Sequence, residues 1–582
     1  MRARICTVVG LLIAASCSSG SESRPEARAP SATGPAAAPT SGDSFAVFVD
    51  DYFAARFAFD PTSGTEAGFH QYDGALEDLS REHIAARIAE LERFRSRLSA
   101  LDRASLSFDD SIDYQALAGQ IEGDLLDLDT IKIYETNPMS YAGVAGRAVD
   151  SLMKRDFAPA PDRLRSIIAR LEAVPAVYAA ARANVKNPAR EFTDVALRRA
   201  QGSVGFFEGS VASWARQAAG SDAALWKEFD QANRQVVAAT RDFAAWLEKD
   251  LLPRSKGNYA IGEASFLAKL KDDEMVELPL PQLLARGEAQ LEADYAAFVE
   301  TARKIDPRKT PHQVMASLSD THPSADQLIP SVRKSVEQAR QFLIDKQIVT
   351  VPSEVRATVT ETPPYQRAGG FASMDTPGPF ESKATEAFYY VTPVEKDWPR
   401  KHKEEHLRLF SPWVVSMINV HEAYPGHYLQ FLYAPRFPTK TRKLVFAGSN
   451  AEGWAHYCEQ MMVDEGFGGG DPRVRLAQLE EALLRDVRYV VGIKLHTAGW
   501  TVEQGTKLFV EKGFQEPANA FEEARRGTFN PTYLYYTLGK LEILELREEY
   551  RSRKSASLRE FHDAFVAQGS LPIPLVRKIL FR

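Results

Sequence analysis

The stretch INVHEAYPGHYLQF, residues 418–431, holds His421, Glu422 and His427 in a near match to the metal-binding helix motif HExxH. In HExxH the two histidines are four residues apart and share one face of a helix. Here they are six residues apart. Six residues of a regular α-helix turn through about 600°, which leaves the two side chains about 120° apart. A regular helix therefore cannot aim both imidazoles at one ion.

Pro425 and Gly426 lie between the two histidines and offer a way around this mismatch. Proline cannot donate a helical hydrogen bond to the carbonyl of His421, and its ring crowds that carbonyl. Glycine then relaxes the backbone freely. We expect a bulge or kink here, of the kind often found at functional sites, that swings His427 back. The stretch is interpreted as an HExxH helix with two additional residues.

A metal site of this kind needs a third ligand from elsewhere in the chain. A catalytic zinc usually takes three protein ligands and leaves one position for water, and a nearby carboxylate takes the proton of that water. We expect His421 and His427 as ligands, Glu422 as general base, and Glu452 of SNAEGWAHYCEQMM (residues 449–462) as third ligand. The alternative is that the histidines are ordinary hydrogen-bonded core residues.

Two further polar side chains follow Glu452 at helical spacing, His456 and Glu459. All three can share one helix face. We expect His456 to orient a metal ligand, and we place Glu459 with it among the groups that support the metal or contact substrate.

A second histidine motif competes for the metal. HKEEH, residues 402–406, matches the inverted zinc-peptidase pattern H-x-x-E-H, with Glu405 as the would-be base. Its histidines have the correct helical spacing. However, the surrounding WPRKHKEEHLRLF is dense in charge, which is typical of a solvated helix start, and no distant glutamate pairs with it convincingly. We favour the site at His421.

A zinc peptidase also needs a group that stabilises the oxyanion. His496 of KLHTAGW is one candidate, and Tyr533 and Tyr536 of PTYLYYTLGK, three residues apart, are two more. For these tyrosines the alternative is core packing with a satisfied hydroxyl. Arg525 or Arg526 could hold a substrate carboxylate through a bidentate pair, although an arginine on a solvated face is the commoner case.

The N-terminus predicts export and lipid attachment. Arg2 and Arg4 precede ICTVVGLLIAA, an apolar run too short to span a bilayer. We expect a bacterial lipoprotein signal over residues 1–16, with Cys17 lipidated, and an extracytoplasmic location; an ordinary signal peptide is the alternative. Residues 17–43, rich in Ser, Pro, Gly and Ala, predict a flexible tether.

Composition and pattern predict a large, mostly helical fold. The 582 residues carry a net charge of −7 with both signs interspersed, which excludes the basic surface of a nucleic-acid binder. Apolar stripes, such as those over residues 83–102, predict a helical region over 44–346. A region over 347–582 holds the metal motifs, and the two either stand apart or form one continuous fold. Cys458 would be a core residue, with no disulfide partner in the mature chain.

Two segments predict strands, EVRATVTET (residues 354–362) and EAFYYVTP (residues 386–393), separated by a loop rich in glycine and proline. The second segment could be an edge strand that aligns an extended peptide. The alternative, which we favour, is an ordinary buried strand.

HEAYPGHYLQF, SNAEGWAHYCEQMM, LHTAGWT and RRGTFNPTYLYYTLGKLEILELRE together resemble the bacterial domain of unknown function 885, whose members are often described as lipoproteins. The resemblance covers most of the mature chain. It implies a mainly α, zincin-like (gluzincin-type) metallopeptidase fold, with a large helical N-terminal half and a small β-sheet near the active site. It also implies His421 and His427 as zinc ligands and Glu422 as base. EGWA is similar to NEGFA of other glutamate-type zinc peptidases, which places Glu452 as third ligand.

These expectations combine into a lipid-anchored zinc peptidase with one zinc ion per chain. We expect an exopeptidase acting on short peptides through metal-activated water, with Glu422 as base. One alternative is a metal-dependent amidase or esterase acting on cell-wall fragments. The other is a non-catalytic lipoprotein that binds a peptide or partner and holds metal structurally.

Overall fold

Helices dominate the architecture, as the apolar stripes predicted. In the computed structural model, which describes residues 44–363, 367, 372–396 and 398–582, the stripe at residues 83–102 lies in a helix that buries Leu91, Phe94 and Leu98. The predicted signal (residues 1–16), Cys17 and the tether (residues 17–43) lie outside the described residues.

The helices that precede the sheet form the N-terminal half of the described chain. They are α1 Phe45–Phe59, α2 Pro61–Glu66, α3 Arg81–Ala100, α4 Phe108–Leu125, α5 Ile133–Thr136, α6 Met139–Ala142, α7 Val144–Met153, α8 Ala160–Asn184, α9 Arg190–Phe206, α10 Ala212–Ala219, α11 Ala223–Trp246, α12 Leu252–Arg254, α13 Gly262–Glu274, α14 Leu280–Ile305, α15 Pro311–Ser319 and α16 Leu328–Asp345.

The helices that follow the sheet carry both histidine motifs. They are α17 Arg400–Arg408, α18 Pro412–Glu422, α19 His427–Leu432, α20 Lys440–Leu444, α21 Gly448–Asp464, α22 Pro472–Thr497, α23 Val502–Glu511, α24 Pro517–Phe529, α25 Tyr535–Lys554, α26 Leu558–Val566 and α27 Ile573–Leu580.

A small three-stranded sheet separates the two sets of helices. Its strands are β1 Thr358–Glu361, β2 Ala372–Asp375 and β3 Phe388–Val391, in the order β1–β3–β2. β3 runs parallel to β1 and antiparallel to β2. The interpretation of EAFYYVTP as an edge strand is therefore wrong, because β3 is the central strand and pairs on both sides. The buried-strand alternative is confirmed. The edge strand β2 comes from the segment for which we expected only a loop.

Helices from both sides of residue 346 pack into the same unit, which spans Ser44–Arg582. α14 packs along α22, and α21 packs along α25. Two glycines allow the second pair to touch at the backbone: a Cβ on Gly539 would lie 1.9 Å from the carbonyl oxygen of Ser449, and one on Gly453 would lie 2.6 Å from the Cα of Gly539. This contact fixes the helix that carries Glu452.

Cys458 is a fully buried free thiol in α21, as expected for a small core residue. In the described part of the chain, no helix combines the length and apolar character that crossing a membrane requires.

Candidate metal centre

The HEAYPGH segment contains two helices rather than one. α18 ends at Glu422 and α19 begins at His427. Between them Ala423 leaves the helical region, with φ −112° and ψ −80°, and the Tyr424–Pro425 peptide is cis. We expected a bulge or kink within one helix, but the structure has a complete break between two helices. Proline cannot donate a helical hydrogen bond, so the first helix stops and a second one starts.

Gly426 lets the two helices meet closely. Its N–H donates to the carbonyl of Val420 at 3.0 Å, a wider turn than the α-helical one. A Cβ at this position would lie 1.8 Å from the carbonyl oxygen of His421, so only glycine fits. The close approach brings His427 back beside His421, as the sequence predicted, by a different backbone route.

His421, His427 and Glu452 meet at one point. Glu452 Oε2 lies 3.4 Å from His421 Nε2 and 3.3 Å from His427 Nε2. One ligand atom from each residue lies within 4.8 Å of the others, and no other group of three histidine, cysteine or acidic residues in the described ranges does so. Two imidazole nitrogens and one carboxylate oxygen are a donor set typical of catalytic zinc, so these residues fit that ion.

The protonation of this trio shows how strongly its members attract each other. Burial lowers the pKa of His421, but hydrogen bonds to the carboxylates of Glu452 and Glu459 outweigh it and raise that pKa to about 10. Burial raises the pKa of Glu452, but His427 and His421 outweigh it and hold that pKa well below its usual range. The raised pKa of His421 and the lowered pKa of Glu452 both reflect the attraction between a positive imidazole and a negative carboxylate.

Glu459 orients His421 from behind. His421 Nδ1–H donates to Glu459 Oε1 at 2.6 Å, which leaves Nε2 to face Glu452. Such a carboxylate fixes the tautomer and the ring orientation of a ligating histidine. His456 lies 3.3 Å from Glu459 Oε2 through Nδ1. His456 therefore contacts Glu459, which in turn bonds to His421.

Glu422 lies against the sheet. Its Oε2 accepts a hydrogen bond of 3.2 Å from the N–H of Met374 in the edge strand β2. Tyr389 of β3 donates its hydroxyl to Asn419 of α18 at 2.7 Å. These two bonds join the sheet to α18, so the small sheet lies next to the metal centre.

The competing motif HKEEH does not assemble a metal site. His406 Nε2–H donates to the carbonyl of Thr392 at 2.9 Å, and His402 stacks on Trp398 with ring centroids 4.1 Å apart. Glu405 faces Lys401 at 3.7 Å on the exposed side of α17. The solvated-helix interpretation fits these contacts.

His496 is held by backbone groups on both sides of its ring. Nε2–H donates to the carbonyl of Gly527 at 2.7 Å, and Nδ1 accepts from the N–H of Ile261 at 3.4 Å. Burial lowers the pKa of His496 to about 4, so the ring is neutral. With both nitrogens engaged, His496 has no donor left for an oxyanion, and the structure corrects that prediction.

Of the two predicted tyrosines, Tyr533 is enclosed in the core and Tyr536 has a hydrogen-bond partner. Tyr533 is fully buried, and its hydroxyl has no hydrogen-bond partner among the described residues. Tyr536 accepts a hydrogen bond from Arg526 Nη2 at 3.2 Å, which also gives Arg526 an internal partner. Arg525 pairs with Asp194 at 3.0 Å. Tyr533 therefore packs in the core, but, within the described residues, without the hydroxyl partner that the core-packing alternative included.

A cavity of about 300 Å³ opens beside Glu452 and is lined by residues that we had not predicted. Tyr535 and Phe446 line it, together with Asp272 and Glu274. Glu274 accepts from the N–H groups of Gly448 and Ser449 at 2.9 and 3.0 Å, so it anchors the start of α21. The sequence indicated Tyr533 and Tyr536 as candidates but could not show that Tyr535 is the tyrosine of this segment that lines a cavity together with Glu452.

Comparisons with known proteins agree with this architecture. The family model described as bacterial protein of unknown function, DUF885, matches residues 61–580. A candidate lipoprotein of unknown function from Shewanella oneidensis has a similar solved structure, with 28% sequence identity and a TM-score of 0.78 over 93% of this chain and 100% of that one.

The structure of a candidate lipoprotein from Colwellia psychrerythraea shares the fold at 18% identity, with a TM-score of 0.77 over 92% of this chain and 98% of that one. No curated protein matches the chain. The family match covers most of the sequence and confirms the resemblance seen in HEAYPGH and EGWA: the chain belongs to the DUF885 family of bacterial proteins.

Proposed function

We propose that this protein is a zinc-dependent metallopeptidase with a zincin-like site. The observation that carries the proposal is the meeting of His421, His427 and Glu452, with ligand atoms within 4.8 Å of one another despite the irregular spacing of the two histidines. Glu422 follows directly after the first ligand and supplies the carboxylate that hydrolysis requires.

Each residue at the centre has a distinct task under this proposal. His421, His427 and Glu452 would hold the ion, which when bound supplies a Lewis acid that activates water and polarises a carbonyl. Glu422 takes the proton of the attacking water on its carboxylate and passes it to the leaving amine. The N–H of Met374, 3.2 Å from Glu422 Oε2, fixes the orientation of that carboxylate.

The number of ligands favours catalysis over a structural role. Structural zinc sites usually close with four protein ligands, whereas catalytic sites keep one position open. Within the described ranges no fourth histidine, cysteine or acidic side chain joins the trio. A fourth protein ligand that closed the coordination shell would favour the non-catalytic alternative.

The cavity beside Glu452 favours small substrates. Its volume of about 300 Å³ suits a small molecule or a few residues of a peptide, and Glu452 is the one member of the metal trio among its lining residues. Exopeptidase action on short peptides is part of the proposal. The same attack by water serves amides and esters, so cell-wall fragments are the substrates to compare.

Lipid attachment at Cys17 is part of the proposal. Two structurally similar proteins, from Shewanella oneidensis and Colwellia psychrerythraea, are described as candidate lipoproteins. Cys17 follows the apolar run and small residues of a lipoprotein signal. Release of the protein from membranes by Cys17→Ala checks this part.

The test compares Glu422→Gln with the wild type and with Glu405→Gln, a matched change in the competing motif. Zinc content is measured by mass spectrometry, and hydrolysis is measured on free and end-blocked peptides of two to five residues. We expect Glu422→Gln to keep zinc and lose about 100- to 10,000-fold in rate, while Glu405→Gln keeps both.

Normal turnover by zinc-loaded Glu422→Gln would overturn the mechanism. Cleavage of muropeptides or esters in place of peptides would favour the amidase or esterase. Zinc bound without hydrolysis of any of these compounds would favour a binding protein.

A further inference from the structure

Arg485 contacts the carboxylate that orients His421. Its Nη2 lies 3.6 Å from Glu459 Oε1, the same oxygen that accepts the 2.6 Å hydrogen bond from His421 Nδ1. The Glu459 side chain is only 1% exposed and that of Arg485 only 10% exposed. This ion pair is therefore enclosed directly behind the first metal ligand.

Glu459 needs a positive partner because a buried carboxylate without one is costly. His421 must be neutral to offer Nε2 to a metal, so it cannot be that partner in the loaded site. His456 supplies a single N–H at 3.3 Å. Arg485 is the one lysine or arginine in ion-pair distance of Glu459 in the part of the chain that the structure describes, and arginine keeps its charge at all accessible pH values.

The guanidinium is itself held from a second side. Arg485 Nη1 donates to the backbone carbonyl of Glu481 at 2.9 Å and also pairs with the Glu481 carboxylate. Both contacts are to the preceding turn of α22, so Arg485 is fixed to that helix. Because Arg485 also contacts Glu459, and Glu459 bonds to His421, the position of α22 determines where the ring of His421 lies.

Arg488 on the same helix provides a matched comparison. It is also buried, and it pairs with Glu523 through two hydrogen bonds of 2.8 Å. In the described part of the chain, Glu523 makes no hydrogen bond or ion pair with the metal trio or with Glu459. Removal of Arg488 therefore disturbs a buried arginine of α22 without touching the support of His421.

We propose that Arg485 is a positioning residue of the metal centre: it holds the Glu459 carboxylate in place and thereby fixes the orientation in which His421 presents Nε2. This inference rests on the proposed metal site but not on peptides as the substrate. A partner of this kind typically changes metal affinity by about 10- to 100-fold.

The experiment measures zinc affinity of the mature chain by competition with a chelating dye, at constant pH. We expect Arg485→Met to bind zinc about 10- to 100-fold more weakly, Arg485→Lys to regain most of that loss, and Arg488→Met to stay within about twofold of wild type as a change remote from the ligands. The visible spectrum of bound Co²⁺ should change in Arg485→Met alone, because it reports ligand orientation.

A double-mutant cycle tests whether Arg485 acts through Glu459. We expect Glu459→Gln with Arg485→Met to bind zinc no more weakly than Glu459→Gln alone, since the second change removes a group whose partner is already gone. Additive losses would show that Arg485 acts elsewhere and would overturn the inference. If Arg485→Met does not fold, Arg485→Gln in both backgrounds completes the same cycle, because glutamine also removes the positive charge.

The outcomes separate this inference from the proposed function. Wild-type affinity in folded Arg485→Met, with zinc bound by the wild type, overturns the role of Arg485 alone. Absence of zinc binding by the wild type overturns both. If the zinc affinities follow the expected pattern but the protein cleaves no peptide, the role of Arg485 is supported and the peptidase function is overturned.

Discussion

This protein has two histidine motifs, HKEEH at residues 402–406 and HEAYPGH at residues 421–427. Their spacing predicts that the first brings its histidines together and the second does not, but the structure shows the reverse. The regular motif has its histidines one helical turn apart, yet His406 bonds to a backbone carbonyl and His402 stacks on Trp398. The irregular motif has the wrong spacing, yet its histidines share one carboxylate oxygen. A metal site depends on which groups converge in space, and the spacing is only one route to that convergence.

What lies behind each imidazole also separates the motifs. His421 has a buried glutamate on its Nδ1, which leaves Nε2 for an ion. His406 Nε2–H instead donates a hydrogen bond to the carbonyl of Thr392. His421 therefore keeps Nε2 available for an ion, whereas the Nε2 of His406 is already occupied.

The largest expected effect comes from removing one histidine of each motif. His427→Ala should lower the zinc content from about one ion per chain to near zero, because two protein ligands seldom hold zinc. His406→Ala should keep the ion. Mass spectrometry of the purified variants measures this. Loss of zinc in His406→Ala alone would move the site to HKEEH and reverse the comparison.

A second prediction concerns the backbone that makes the irregular motif work. Gly426→Ala places a Cβ 1.8 Å from the carbonyl of His421, so we expect destabilisation by about 3 kcal/mol and weaker zinc binding. Gly202→Ala is the control, since a Cβ there meets nothing within 4 Å. Urea unfolding gives the free energies. Equal stability of the two variants would mean that the two helices can separate without cost.

The third and smallest effect sharpens the distinction between ligands and structural histidines. Burial lowers the pKa of His496 to about 4 and that of His562 to about 3, both below the value of about 6.5 in an unfolded chain. As pH falls below about 6.5, the unfolded state binds protons that the folded state excludes. Each histidine should therefore cost about 2 kcal/mol of stability by pH 5.

Urea unfolding at pH 7, 6 and 5 measures this loss of stability. His562→Gln should reduce the loss by the contribution of His562, whereas the control His402→Gln, on the exposed helix, should leave the loss unchanged. An unchanged pH dependence in His562→Gln would show that other groups control acid unfolding. His562 is a suitable target because both its ring nitrogens have internal partners, Ile348 and Tyr457.

The sequence predicted the helical fold and the convergence of His421, His427 and Glu452, because these depend on residue type and on strong local patterns. It did not predict the break between α18 and α19. Proline and glycine show that a helix is interrupted, but the route of the chain afterwards depends on tertiary contacts such as that of Gly426 with the carbonyl of His421.

The errors among the supporting residues have a common cause. Whether His496 or Tyr533 points to the metal or into the core depends on which helix packs against its own, and one sequence does not show this. Arg485 and Tyr535 were missed for the same reason, since each reaches the site from a different helix. The position of β3 in the sheet depended on β2, a strand that lies within a segment rich in glycine and proline, a composition that predicts a loop.

The glycine contact between α21 and α25 has a consequence for engineering. Gly539 lies far from the ligands in sequence, yet its Cα faces Gly453, the neighbour of Glu452. A larger residue at 539 would push the two helices apart and shift Glu452 while leaving the histidines and carboxylates chemically intact. The distance of Glu452 from His421 and His427 can thus be changed from a position outside both histidine motifs.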